Sequence, residues 1–425
     1  MNIIISGPFG LGSLADEAIL AGLISRLSHG HEITVFTQHP DRVSAAHPDA
    51  ALKLVALANP SSVLSTPPAW HALAKGHAFI ISSAGTISDS GNPPSRVWLS
   101  QLEHGRTAGV KTAIVGVGAR PAPDARERAR IQRFLHNYAD GIAVRDDSAK
   151  VVTCAYGMSP SRISNNGTPT VALAAQPVKT RPRTGRIGIV LNAHAPTHDD
   201  FGFEEMHFSG HVSKPYQALI KALLEDAAQS IVLFHDDTPP AHRFVRDVQA
   251  SAPDGRIEAL SADTSIHVIR EQMAGCEVVF STSLQGMVLA TTAGTPTLGL
   301  RIETGAIEFL RAALPDGESR ALPEAENGDA FDAAFAVKRL ADARAASATL
   351  RETLQGRLKA LLRKEAQNSR MIELLVPRRD RYDRRVEGSS QADDDLDEDE
   401  APPRASAKGA RAHGSGARTE QRRKR

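Results

Sequence analysis

The densest group of potential anion ligands follows the first apolar run, in Gly7-Pro8-Phe9-Gly10-Leu11-Gly12-Ser13-Leu14-Ala15-Asp16-Glu17-Ala18-Ile19-Leu20. A strand, a glycine-rich turn and a helix amino terminus offer backbone N–H groups and the positive end of a helix dipole. The spacing is GxxGxG, which is neither the dinucleotide fingerprint nor a P-loop, and the second strand ends at Thr37-Gln38 without an acid for a ribose hydroxyl. The glycines alone fit a tight turn that binds nothing as well as an anion site. Arg145 follows another short strand, where its guanidinium could hold a carboxylate or phosphate in two-pronged fashion, or pair with Asp146 or Asp147 at a helix entry. His235-Asp236-Asp237 closes a third strand at its carboxyl end, the ligand edge of an α/β sheet. A histidine beside two carboxylates suits a general base with an orienting partner; the plainer reading is a polar turn before Pro239-Pro240. His194, His198, Asp199, Asp200, His207 and His211 are rich in possible metal ligands, but Pro196 and Gly202 mark a loop. No metal is assigned there, and hydrogen bonding to sugar hydroxyls is the better use of such a loop. No Gly-x-Ser-x-Gly elbow occurs, and Cys154 and Cys276 lie in no nucleophile motif.

Positioning these groups requires strands that deliver them to one edge. Ile3-Ile4-Ile5, Ile33 to Phe36, Phe79 to Ile81 and Thr112 to Val115 read as buried strands, as do Ile187 to Leu191, Ile231 to Phe234 and Val278 to Phe280. Segments with helical spacing follow, such as Ala18 to Leu27 and Tyr216 to Ala227. Continuous apolar strands alternating with helices predict parallel sheets covered on both faces. The series restarts after the Pro- and Gly-containing linker between Gln176 and Gly185. The expected architecture is α/β, with two doubly wound Rossmann-like domains, residues 1–178 and 186–376, facing across a cleft. A long helix, roughly Asp332 to Leu375, should close the second domain. Residues 377–425 hold an acidic block, Asp393 to Glu400, between Arg-rich ends, and predict a disordered tail.

Composition narrows the class further. The 425 residues carry 50 Lys+Arg against 49 Asp+Glu, so no global field favours nucleic acid or an anionic membrane. Two cysteines cannot build a disulfide framework or a four-cysteine zinc site. No stretch approaches the ~20 apolar residues of a membrane span. The start, Met1-Asn2-Ile3-Ile4-Ile5-Ser6, lacks a basic run and reads as a strand rather than a secretory signal. A soluble, cytoplasmic protein without a cofactor is the expectation.

Taken in order, several motifs resemble the polysaccharide pyruvyl transferase family. Gly10 through Leu20 is similar to its glycine-rich opening, Asn-x-Gly-Asp-Glu-Ala-Ile-Leu. Ile80 to Thr86, Val115-Gly116-Val117-Gly118 and Ile142 to Ser148 resemble its later strand ends, the last its Val-Arg-Asp/Glu-x-Ser segment. Ser281 to Ala290, followed by Ala293-Gly294-Thr295-Pro296, resembles its late helix and Gly-x-Pro strand entry. The resemblance covers roughly residues 1–320. It implies a GT-B-like fold and transfer of a pyruvyl group from phosphoenolpyruvate to a sugar hydroxyl pair, as in exopolysaccharide synthesis. The sequence departs from the family at chemically important places. Ser283-Leu284-Gln285 stands where Arg-Leu-His is usual, so a forked cation and a proton carrier are missing. Ser13 and Ala15 replace Asn and Gly, Thr168-Pro169-Thr170 lacks the family's Asp, and Arg301 is the nearest cation to its usual late Lys.

The resemblance makes Asp16, Arg145 and His235 the candidate acid, clamp and base. Gly10, Gly12, Ser13, Gly85, Gly118, Ser281, Thr282, Ser283, Gln285 and Arg301 are the candidate substrate contacts. The implied partners are phosphoenolpyruvate and a sugar or glycan, not nucleic acid. Two other readings stand beside this one: a GT-B glycosyltransferase using a nucleotide-sugar, and a relative that binds without catalysing.

Overall fold

The structure is a computed structural model; it describes residues 1–376 apart from 88–92, 123, 192–209, 253, 301–303, 324 and 326–329. The predicted tail, Arg301 and the histidines from 194 to 207 lie outside the described residues. The first sheet begins with β1 (Asn2–Ser6), β2 (Glu32–Thr37), β3 (Leu52–Ala56) and β4 (Ala78–Ser82). It continues with β5 (Thr86–Ile87), β6 (Lys111–Ala119), β7 (Gly141–Val144) and β8 (Ile163–Asn165). Helices α1 (Leu14–Leu27), α2 (Pro40–Ala46), α3 (Pro67–Ala74), α4 (Pro93–Thr107), α5 (Ala125–Tyr138) and α6 (Asp147–Ala155) connect them. The second sheet holds β9 (Arg186–Leu191), β10 (Ser230–His235), β11 (Ile257–Ser261), β12 (Val278–Ser281), β13 (Thr297–Leu300) and β14 (Ala321–Leu322). Its helices are α7 (Gly210–Leu224), α8 (Pro239–Ser251), α9 (Ile266–Ala274), α10 (Leu284–Thr292) and α11 (Thr304–Ala313). Two more, α12 (Ala333–Ala345) and α13 (Ser347–Leu375), end the described chain.

Both sheets are parallel, in the orders β3-β2-β1-β4-β6-β7-β8, with β5 on β6, and β11-β10-β9-β12-β13-β14. The order reverses between β1 and β4 and again between β9 and β12. Those two switch points leave a crevice beyond the strand carboxyl ends, where α/β sheets take ligands. The candidate residues after β1, β4, β10 and β12 stand at this edge because each strand ends there.

Side chains alternate across each sheet. Ile4, Phe79 and Ile114 enter one apolar cluster, while Ile3, Ile5 and Val35 enter another on the opposite face. Helix α1 is apolar nearly all round because it packs on both sheets. Ile19, Leu20 and Leu23 join the first sheet, and Leu14, Ala18 and Ala21 join Val190, Val232 and Phe234 of the second.

The expected single closing helix is two helices. Ala346 interrupts it, because the flanking segments serve different cores. Ala336, Leu340 and Ala343 of α12 pack on the second sheet, whereas Ile372 of α13 and the following Val376 lie among residues of the first. The chain therefore returns to the half from which it started. The helix expected from Tyr216 to Ala227 starts earlier and stops at Leu224.

Candidate active site

The glycine-rich turn is shaped by two left-handed residues, Gly10 (φ 79°) and Gly12 (φ 85°). A Cβ on Gly12 would stand 2.6 Å from the Asp237 carbonyl oxygen, so the second half of the chain presses directly on this turn. Beneath it, Glu17 accepts the Gly10 N–H at 2.6 Å through Oε1 and the His47 ring at 2.8 Å through Oε2. Both side chains are buried. This carboxylate–imidazole brace was not legible in the sequence, where Glu17 reads as an ordinary first-turn acid.

Ser13 caps α1 by accepting the Asp16 N–H at 3.3 Å, and Leu14 N–H donates to Asp236 Oδ1 at 2.9 Å. The predicted anion site at this helix start thus holds a carboxylate of the protein itself. A carboxylate there suits the positive end of the helix dipole. Asp237 N–H donates to the Gly12 carbonyl at 2.8 Å, and its carboxylate pairs with Arg42 and receives the His242 ring.

Asp16 and Arg145 meet on the turn after β4. Asp16 Oδ1 accepts from Ala84 N–H at 2.7 Å and from the Ser83 hydroxyl at 3.2 Å. Arg145 donates to the Ala84 carbonyl at 2.8 Å and pairs with Asp146 at 3.1 Å. The backbone of Ala84 is therefore held at its N–H by Asp16 and at its C=O by Arg145. Gly85 receives the Gly118 N–H on its carbonyl at 3.2 Å, which ties the same turn to β6. Arg145 keeps the helix-entry ion pair and also lines a cavity of about 70 Å³ with Asn166, Thr168, Lys364 and Glu365.

His235 is buried at the end of β10, and its Nδ1 bonds to the Asp236 carbonyl at 2.9 Å. A carbonyl only accepts, so Nδ1 carries the proton and Nε2 the lone pair. Burial pulls this imidazole below its ordinary range and leaves it neutral at pH 7. The orienting group is thus a backbone carbonyl, not either neighbouring carboxylate, because Asp236 and Asp237 both turn to α1 and its loop.

The late motif is structural in its hydrogen bonding. Ser281 Oγ donates to the Ser283 carbonyl at 2.8 Å, and Ser283 Oγ caps α10 at Gly286 N–H, 3.2 Å away. Thr282 shares a hydrogen bond of 2.8 Å with the buried Tyr216 hydroxyl. Gln285 is buried, and its Oε1 accepts from Thr168 and Thr170, each at 3.0 Å. Gln285 therefore ties α10 to the segment at Thr168–Thr170, while Ser283 closes the first turn of its own helix. Among the described residues, no group of three or more His, Cys, Asp or Glu could hold a metal ion.

Two parallel doubly wound sheets, a ligand edge shared between them and a final helix that returns to the first half define a GT-B-like α/β protein. Solved structures of similar fold include the UDP-N-acetylglucosamine 2-epimerase from Rickettsia bellii, with TM-score 0.52, 13% identity and coverage of 88% of this chain and 97% of that one. Another is Anabaena HepE in complex with UDP, with TM-score 0.55, 12% identity and coverage of 88% and 100%. A third is the UDP-GlcNAc 2-epimerase of Neisseria meningitidis, with TM-score 0.54, 12% identity and coverage of 87% and 100%. No curated protein matches the chain in sequence. The model of the polysaccharide pyruvyl transferase family matches residues 16–304, and the chain belongs to that family. No helix among the described residues is long and apolar enough to cross a membrane.

Proposed function

We propose that the protein transfers the pyruvyl group of phosphoenolpyruvate to two hydroxyls of a sugar or glycan, forming a ketal and releasing phosphate. The observation that carries this reading is Arg145, which lies within the span matched by the family model and lines a small cavity at the strand ends. In this reaction a proton adds to the methylene carbon of the donor, and its central carbon becomes electrophilic. A sugar hydroxyl attacks that carbon, phosphate leaves, and the second hydroxyl closes the ring. Of the two hydroxyl protons released, one balances the new methyl group and the other leaves with phosphate. Arg145 supplies the cation for the donor's phosphate or carboxylate. His235, neutral with its lone pair on Nε2, is suited to accept a hydroxyl proton, and Asp16 is the candidate acid.

A second reading is favoured by one observation. Gln285 is fixed by Thr168 and Thr170, and Ser283 by its capping bond, so neither substitutes for the usual arginine and histidine. A binding protein without turnover would tolerate this. The test is phosphate release from phosphoenolpyruvate over a panel of sugars and glycans, with mass spectrometry for the ketal product. Acceptor-dependent release supports pyruvyl transfer. Donor binding without release supports the second reading.

A further inference from the structure

Glu365 is a buried acid to which the ketal-forming steps give no part. Its side chain on α13 is 1% exposed, and its Oε2 accepts from Arg26 Nε of α1 at 2.7 Å. The same side chain borders the cavity that Arg145 lines, so an acid and a cation from distant parts of the chain share one space. Residue 365 lies beyond the span matched by the family model, so membership of the family assigns it no role. Among the described residues, the acids at this cavity are Asp146, Glu308 and Glu365. Asp146 pairs with Arg145, and Glu308 on α11 accepts from the N–H groups of Asp147 and Ser148. Lys364 stands beside Glu365 on α13 and lines the cavity as well. Burial pushes the Glu365 carboxyl up to about 7 against the opposing pull of Arg26. At pH 7 about half of the molecules therefore carry a proton there. Asp16, the other acid considered for this chemistry, spends its Oδ1 on the Ala84 N–H and the Ser83 hydroxyl.

Resting on the pyruvyl-transfer reading, we propose that Glu365 protonates the methylene carbon of phosphoenolpyruvate held at Arg145. That carbon is two bonds from the donor's carboxylate carbon, so a carboxylate on Arg145 brings it toward the space that Glu365 borders. The electron pair of the enol double bond takes the proton and becomes the new C–H bond. The central carbon turns electrophilic, and Glu365 is left as a carboxylate beside Arg26. A sugar hydroxyl attacks that carbon, phosphate leaves with the electrons of its bridging bond, and the second hydroxyl closes the ketal. One hydroxyl proton returns to Glu365 and the other leaves with phosphate, so the acid is restored. Arg26 acts through Glu365, as a positioning residue that steadies the carboxylate once its proton has gone.

The plainer role for this ion pair is an anchor between α13 and α1, and the experiment separates the two. Acceptor-dependent phosphate release is followed from about pH 6 to about pH 8.5 in the full chain, in Glu365→Gln and in Arg26→Gln. Circular dichroism at each pH confirms that all three are folded. Glutamine keeps an oxygen for Arg26 but has no acidic proton to give. The expected result is that Glu365→Gln lowers kcat at least about a hundredfold and leaves KM for phosphoenolpyruvate within about threefold. In the parent, kcat falls as pH rises through about 7, where Glu365 loses its proton. Arg26→Gln removes the cation that favours the carboxylate, so this fall moves to higher pH while the rate near pH 6 stays within about threefold of the parent. An anchor predicts instead that both substitutions cost alike and that the fall stays where it was. Release by Glu365→Gln within about threefold of the parent, equal losses in the two variants, or a fall that Arg26→Gln does not move overturns this proposal alone. No acceptor-dependent release by the parent overturns the reading on which it rests, and the proposal with it.

Discussion

Replacing Glu365 with glutamine should change how stability depends on pH. Glu365 lies on α13, almost fully buried, with its carboxylate 2.7 Å from Arg26 of α1. Burial pushes this carboxyl up from 4.5 to about 7, and the Arg26 guanidinium only partly opposes it. An acid whose folded pKa is raised favours the folded state when protonated. Its contribution is complete below the unfolded value near 4.5 and is lost as pH rises through about 7. The difference, 7 − 4.5 = 2.5 pH units, corresponds to about 3 kcal/mol at ~1.36 kcal/mol per unit. Glutamine mimics the protonated acid and keeps an oxygen for Arg26, so its stability lacks this decline. Urea unfolding of both proteins between pH 4.5 and 8.5 measures the effect. The variant should gain on the parent by about 3 kcal/mol across that window, most of it between pH 5 and 7.5. A difference independent of pH would show that the ion pair, not burial, governs Glu365.

Other substitutions test the contacts between the two halves. Gly12→Ala forces a side chain into the left-handed region against the Asp237 carbonyl and should cost more than about 1–2 kcal/mol in urea unfolding. Asp236→Ala removes the charged acceptor at the start of α1, and the same assay should show a loss of roughly 1.5–3 kcal/mol. Ser283→Arg with Gln285→His restores the residue types usual in the family. It should lower the melting temperature through loss of a cap worth about 1 kcal/mol, and raise acceptor-dependent phosphate release if catalysis is limited by the missing charge.

The strands of both sheet centres were legible because residues buried on two faces form continuous apolar runs, as in Ile187 to Leu191. Edge strands were not. In β3, Leu52-Lys53-Leu54-Val55-Ala56, no residue is fully buried, and the pattern resembles a polar turn region as much as a strand. The same runs placed His235 at the end of β10 and Arg145 directly after β7, and the glycine-rich turn after β1 placed Asp16 in the first turn of α1. Their partners were hidden by sequence distance. Nothing near Leu14 signals that Asp236 will cap its helix, and nothing near Arg26 signals Glu365. The period of α13 reveals a helix but not which sheet it serves, because Ile372 and Val376 suit either core.

Calorimetric titration of the full chain with phosphoenolpyruvate, alongside Arg145→Ala, tests the central claim most directly. Loss of the charge-assisted bond at the cavity should weaken donor binding by roughly 1.5–3 kcal/mol. The account predicts saturable binding to the parent and a loss of that size in a variant that remains folded by circular dichroism. No binding to the parent, or equal affinity in the folded variant, would contradict the assignment of Arg145 and with it the donor site.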